Sequence, residues 1–130
     1  MNIHGIFPPI TTPFDDCDEI DVTALKSNLG RWMKTRVTGV VVLGSNGEAP
    51  LLSEDECVRL VAAAREIVPR ERVLIAGAGE ESTRATIAGA RRLAQAGADA
   101  VLVRTPGYFK TQLTQDVFIR HFVAVADASP

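Results

Sequence analysis

The chain is poor in several residue types that mark particular chemistries. It has two cysteines, Cys17 and Cys57, far apart and without a CxxC spacing, and two equally scattered histidines, His4 and His121. That scatter argues against a zinc site, and two lone thiols fit a reducing compartment. Only three lysines occur, Lys26, Lys34 and Lys110, and no Lys/Arg cluster stands out against a formal net charge of -2. Nucleic acid and anionic membranes are therefore poor partners. No apolar run approaches the ~20 residues of a membrane span. The N-terminus, MNIHGIFPPITTPF, lacks the basic stretch and long apolar stretch of a secretory signal and the arginine-rich character of a transit peptide. A cytoplasmic location is expected. What is present, 130 residues with 46% hydrophobic and 23% charged side chains, suits one domain with a buried core.

The strongest pattern is a repeated alternation. Short apolar runs fall at residues 6–10, 39–43, 73–76 and 100–103, and the last three do not alternate apolar with polar. Such runs suit strands of a parallel sheet. A helical stripe follows each one. Val22, Leu25, Leu29, Trp32 and Met33 form the first, behind Asp21 as N-cap. Cys57, Leu60, Val61, Ala64, Ile67 and Val68 form the second, behind a Ser53/Glu56 capping box. Ile87, Ala90, Leu93 and Ala94 form the third, with Gly97 as the stop. Val117, Phe118, Phe122 and Val125 form the fourth, behind Thr114. Pro8 and Pro9 deny ladder donors to the first run, which must be short or irregular. Four βα units of roughly 30 residues make either a small open α/β sheet or half of an eight-stranded barrel, and the spacing leaves both open.

In both architectures ligands bind beyond the C-terminal strand ends. Gly44-Ser45-Asn46-Gly47-Glu48 is the richest of the segments found there. Its glycines allow positive φ or close approach. Ser45 and Asn46 offer a hydroxyl, an amide and two backbone N–H groups to a carboxylate or developing oxyanion. A tight βα turn accounts for the same residues, and Glu48 is read as serving the loop's own backbone. Gly77-Ala78-Gly79 is read as a turn rather than a phosphate cradle, since the wider dinucleotide fingerprint is absent. Arg104 is expected to meet an acidic neighbour and His121 to be a packed core histidine. Tyr108, the only tyrosine, could relay a proton, line a pocket or simply pack.

GIFPPITTPF, VVVLGSNGEAPLLSEDE, VLIAGAGEESTRATIAGARRLAQAGADAVLV and TPGYF, in this order, resemble the dihydrodipicolinate synthase / N-acetylneuraminate lyase family from about Gly5 to Pro130. The GSNGE form is similar to that of 4-hydroxy-2-oxoglutarate aldolase-like members. The resemblance implies a (β/α)8 TIM barrel, usually a dimer of dimers, of which residues 1–130 would be the N-terminal half, a single incomplete domain of about four βα units. It implies Schiff-base chemistry on pyruvate or another 2-oxo acid, with no cofactor and no metal. Ser45 matches the hydroxyl of the proton relay, close to the substrate carboxylate. Asn46 matches the adjacent carboxylate-binding position. Tyr108 matches a relay tyrosine that reaches into a neighbouring subunit of a homo-oligomer. Gly107 departs from the aromatic often found before that tyrosine. The family's imine-forming lysine lies on the sixth strand and a further relay tyrosine on the fifth, so neither falls within these residues. Lys26 and Lys34 belong to the polar side of the first helix, and Lys110 to an exposed loop. The chain alone is therefore expected to be inactive. A non-catalytic half-barrel that binds a small carboxylate or a partner chain is the alternative, and a complete phosphate-binding α/β domain ranks last.

Overall fold

The computed structural model describes residues 3–130. Three parallel strands, β1 (Gly39–Val42), β2 (Val73–Ala78) and β3 (Ala100–Val103), lie side by side in chain order. Helices α1 (Val22–Met33), α2 (Glu54–Ile67), α3 (Thr83–Gln95) and α4 (Gln115–Ala128) alternate with them and pack against one another in succession. Gly39 pairs with Val73 through Val42 with Ala76, and Ile75 with Ala100 through Ala78 with Val103.

The first apolar run forms no ladder of its own. It joins β1 by one bridge, Pro9 to Val41. The hydrogen bonds alongside are Thr38 N–H to Ile6 O (2.9 Å), Val41 N–H to Pro8 O (3.0 Å) and Ile10 N–H to Val41 O (2.8 Å). Pro8 and Pro9 have no N–H to give, so the segment accepts at Ile6 and Pro8, donates only from Ile10, and does not become a regular strand. The order is thus leading segment, β1, β2, β3.

Helix ends follow the local chemistry. Asp21 accepts from Ala24 N–H (2.9 Å). Ser53 and Glu56 close a reciprocal capping box. Gly97 takes φ +115 just past α3, the left-handed position glycine favours. Thr114 stands at the N-cap of α4, but its side chain makes no capping hydrogen bond.

Burial alternates along β2, and β1 follows it except at Gly39. Val40, Val42, Leu74 and Ala76 are sealed beneath the helices at 1% exposure or less, together with Leu25, Leu29, Leu60 and Val61. Val41 and Ile75 on the opposite face are only partly covered, and Leu102 is 56% exposed. A compact monomer of 14.0 kDa exposes about 6700 Å², whereas this chain exposes 8040 Å². The excess fits a curved sheet clothed on its outer side and bare within. Leu29 holds α1 to the clothed side, and Leu29→Ala is expected to cost about 2–5 kcal/mol in urea denaturation.

Candidate active site

The polar segments all gather at the C-terminal ends of the strands. Leu43 leaves β1 with φ +57, Ser45–Gly47 form one 3-10 turn, and Glu48 closes it at φ +54. Positive φ, one of the two roles open to Gly44 and Gly47, thus falls on Leu43 and Glu48; Gly44 is extended, with φ −83 and ψ −173. Left-handed backbone at non-glycine residues costs on the order of 1–3 kcal/mol each and survives only where the surroundings impose it. Part of that imposition is visible. Thr12, 5% exposed, donates its hydroxyl to Gly47 O at 2.7 Å. A Cβ at Gly47 would stand 3.1 Å from Ile10 O, so the glycine lets the turn dock on the leading segment. Glu48 serves the loop through its backbone, its N–H meeting Ser45 O at 3.2 Å. Ser45 and Asn46 occupy the outer side of the turn and are exposed. Their own N–H groups open the turn, so they have no acceptor within it.

Beside this turn lies a cavity of about 490 Å³, lined by Leu43, Gly44 and Ser45, by Gly77 at the end of β2, by Gly79 and Glu80 after it, by Cys57 of α2 and by Arg104. Asn46 and Tyr108 sit on the same rim but outside that lining. Cys57 is no nucleophile here. Burial, reinforced by the Glu80, Glu56 and Glu54 carboxylates, pushes its thiol up to about 11, so at neutral pH it stays protonated.

The Gly77-Ala78-Gly79 segment is a spacing device. Gly77 and Ala78 extend β2 two residues beyond the expected end. A Cβ at Gly77 would fall 1.8 Å from Leu43 O, and one at Gly79 would fall 2.4 Å from Arg104 Cγ. Thr86, fully buried, fixes the next residue by accepting from Glu80 N–H at 3.0 Å.

Beyond β3, Arg104 finds the acidic neighbour expected of it, Glu81, at 3.5 Å. Glu81 was not evident from the sequence. Its Oε2 accepts from both Gly107 N–H and Tyr108 N–H at 2.9 Å. These two bonds, and then Arg104, hold its carboxyl below the ordinary 4.5. Tyr108 projects from this anchor 79% exposed and meets Phe109 edge-on at 4.9 Å. A Cβ at Gly107 would touch nothing within 4 Å, so the missing aromatic leaves open space.

The remaining candidates lie elsewhere. His121 is 4% exposed, with Nδ1 3.0 Å from Thr83 Oγ1. Lys26 pairs with Glu66 of α2, while Lys34 and Lys110 are exposed. No lysine lines the cavity. Among the described residues no group of three His, Cys, Asp or Glu is placed to hold a metal ion, and no helix is long and apolar enough to cross a membrane.

Parallel strands in chain order, helices on one face and polar turns at the strand C-termini define a partial (β/α)8 barrel. The chain belongs to the dihydrodipicolinate synthetase family, whose model matches residues 2–130. It is 39% identical over 128 residues to the 4-hydroxy-tetrahydrodipicolinate synthase of Haloarcula marismortui, covering 98% of this chain and 41% of that protein. It is 36% identical over 132 residues to a probable mitochondrial 4-hydroxy-2-oxoglutarate aldolase of Emericella nidulans, covering 98% and 43%. Its fold matches the solved 4-hydroxy-tetrahydrodipicolinate synthase of Methylacidiphilum fumariolicum SolV with a TM-score of 0.91 at 34% identity, over 98% of this chain and 42% of that one. The chain thus spans about two fifths of the length of these relatives.

Proposed function

We propose that these residues supply the acid-binding half of a Schiff-base aldolase or lyase acting on pyruvate or another 2-oxo acid. In this reading Ser45 and Asn46 hold the carboxylate through hydroxyl, amide and backbone N–H groups. Ser45 also belongs to a proton relay that Tyr108 completes from a neighbouring subunit of a homo-oligomer in the cytoplasm. The observation that carries it is the Ser45–Asn46 turn itself, exposed at the strand ends, flanked by left-handed Leu43 and Glu48 and docked through Gly47 on Thr12 of the leading segment. The exposure of Tyr108 suits a group that works across an interface. An amine able to form the imine must come from outside residues 1–130. No lysine lines the cavity, Lys26 is paired with Glu66, and Lys34 and Lys110 are exposed away from it.

A non-catalytic half-barrel is the second reading, favoured by the bare inner sheet face. Pyruvate with borohydride separates the two. The chain alone should show Ser45 and Asn46 amide shifts on adding pyruvate and no reduced adduct by mass spectrometry. Mixed with the C-terminal barrel half of a relative, it should yield an adduct on that half's lysine. Ser45→Ala should then slow turnover about 10²–10³-fold, the usual effect of losing one such donor. Amide shifts with no adduct in any mixture would favour binding alone. Unmoved Ser45 and Asn46 amides would defeat both readings of this turn.

A further inference from the structure

Glu81 turns its carboxylate away from the helix it precedes. Helix α3 already has its side-chain cap, since Ser82 accepts from Ala85 N–H at 3.1 Å, and Glu81 makes no hydrogen bond to its first turn. Its Oε2 reaches instead across 26 and 27 positions of sequence to two consecutive N–H groups, Gly107 and Tyr108. These donors lie between the end of β3 and the Lys110–Gln112 turn, where no strand or helix supplies an acceptor. Arg104 steadies the other oxygen from the end of β3. Gly79 lets the Arg104 stem cross there, because any Cβ at that position would strike it.

We propose that Glu81 is a positioning residue: its carboxylate clamps the backbone at Gly107–Tyr108 and so sets the direction in which the Tyr108 phenol leaves the rim. This rests on the reading of Tyr108 as a relay group, while the clamp itself stands on the two hydrogen bonds. A carboxylate with two N–H donors on one oxygen is a charge-assisted arrangement, stronger than two neutral bonds. The same geometry makes the clamp sensitive to acid. Arg104 faces Glu81 from β3, and Arg120 and His121 of α4 line the same hollow. The bound form is the anion, with a carboxyl held below its ordinary range by the Tyr108 and Gly107 N–H groups. The stabilisation is therefore complete above the ordinary glutamate range and is lost as pH falls through the lowered value.

Tyr108 is the only tyrosine, so 3-fluorotyrosine labelling of the full chain gives one ¹⁹F line from the site. In the wild type that line should titrate with a midpoint below the ordinary 4.5 of glutamate. Glu81→Gln should abolish this titration yet keep most amide protection, because its carbonyl oxygen still accepts. Glu81→Ala should speed hydrogen exchange at Gly107 and Tyr108 about tenfold, with core amides such as Val40 and Leu74 unchanged. The proposal is overturned if Glu81→Ala leaves the ¹⁹F line and both amides at their wild-type values, or if the line titrates identically in Glu81→Gln. Tyr108→Phe probes the relay separately. Undiminished turnover in that variant, within the mixture that traps pyruvate, would remove the relay and leave the clamp standing on the ¹⁹F and exchange results.

Discussion

Gly77→Ala is expected to destabilise the chain by about 3 kcal/mol, at the upper end of what one added methyl usually does in a packed interior, and to disturb the Ser45 turn as well. The reason is the identity of the atoms in the way. The new Cβ would stand 1.8 Å from Leu43 O, 2.6 Å from Leu43 C and 3.3 Å from Gly44 N. All are backbone, so no rotamer change can make room. The paired strands must separate, or the chain between Leu43 and Gly44 must shift, and Ser45 follows directly. Gly39 stands in the same relation to Val73 O at 2.0 Å, so both ends of the β1–β2 pairing depend on a missing side chain. Gly30 in α1 is the control, since a Cβ there meets nothing within 4 Å. Gly30→Ala should be neutral or stabilise by about 0.5–1 kcal/mol through helix propensity. Urea denaturation of the two variants, with ¹⁵N shifts at Ser45 and Asn46, checks both halves. A neutral Gly77→Ala would mean that β2 is not held this close to Leu43.

The second large effect is expected at the opposite end of the sheet. Arg65, whose side chain is 10% exposed, gathers the segments that enter β2 and β3. It donates to Val68 O at 2.7 Å, Pro69 O at 3.0 Å, Arg72 O at 3.2 Å and Gly97 O at 3.3 Å. It also pairs with Asp99 at 2.7 Å, and the same Asp99 oxygen accepts from Leu74 N–H at 2.8 Å. Gly97 must be glycine there for a second reason, because its Cβ would meet Arg65 Cγ at 2.8 Å. Arg65→Met keeps the stem and removes every donor, leaving a carboxylate and several carbonyls without their partner. The expected loss is about 1–3 kcal/mol, set by the part-buried carbonyls left without a donor, because Asp99 is exposed and keeps Arg70 and Leu74 N–H. Arg65→Lys should recover only part of it, since one ammonium cannot span a fork of acceptors. Because the cluster lies at the strand N-termini, the denaturation midpoint should fall while pyruvate still shifts Ser45 and Asn46. Loss of that response at temperatures where the fold persists would contradict the separation of a stabilising end from an active end.

The two sites differ in how far the sequence foretold them. Asp21, the Ser53/Glu56 box and Gly97 were legible because each acts over three or four residues, and so were the helices themselves, although Trp32 and Phe122 of the expected apolar stripes are exposed and His121 is buried on α4 instead. The irregularity of the first run was legible too, from the chemistry of Pro8 and Pro9. Arg65 with Asp99, Thr12 with Gly47 and Glu81 with Gly107 were not. Each pair is separated by 26 to 35 positions, and a hydrogen bond between such segments leaves no periodic trace in the sequence. Glycine was a partial guide within the loop. Of the two roles open to Gly44 and Gly47, close approach holds at Gly47, against the leading segment rather than a ligand, while the left-handed positions fall on Leu43 and Glu48, which local preference disfavours.

Those two residues have a consequence for the speed of recognition. A loop whose shape is imposed at both ends during folding has little freedom left to surrender when a small anion arrives. Ser45 and Asn46 are already exposed, so in the proposed carboxylate site capture would wait only on diffusion and departure would require no prior rearrangement. Rapid exchange between free and occupied forms, seen as single averaged resonances at Ser45 and Asn46, is the behaviour such a rigid receptor should display.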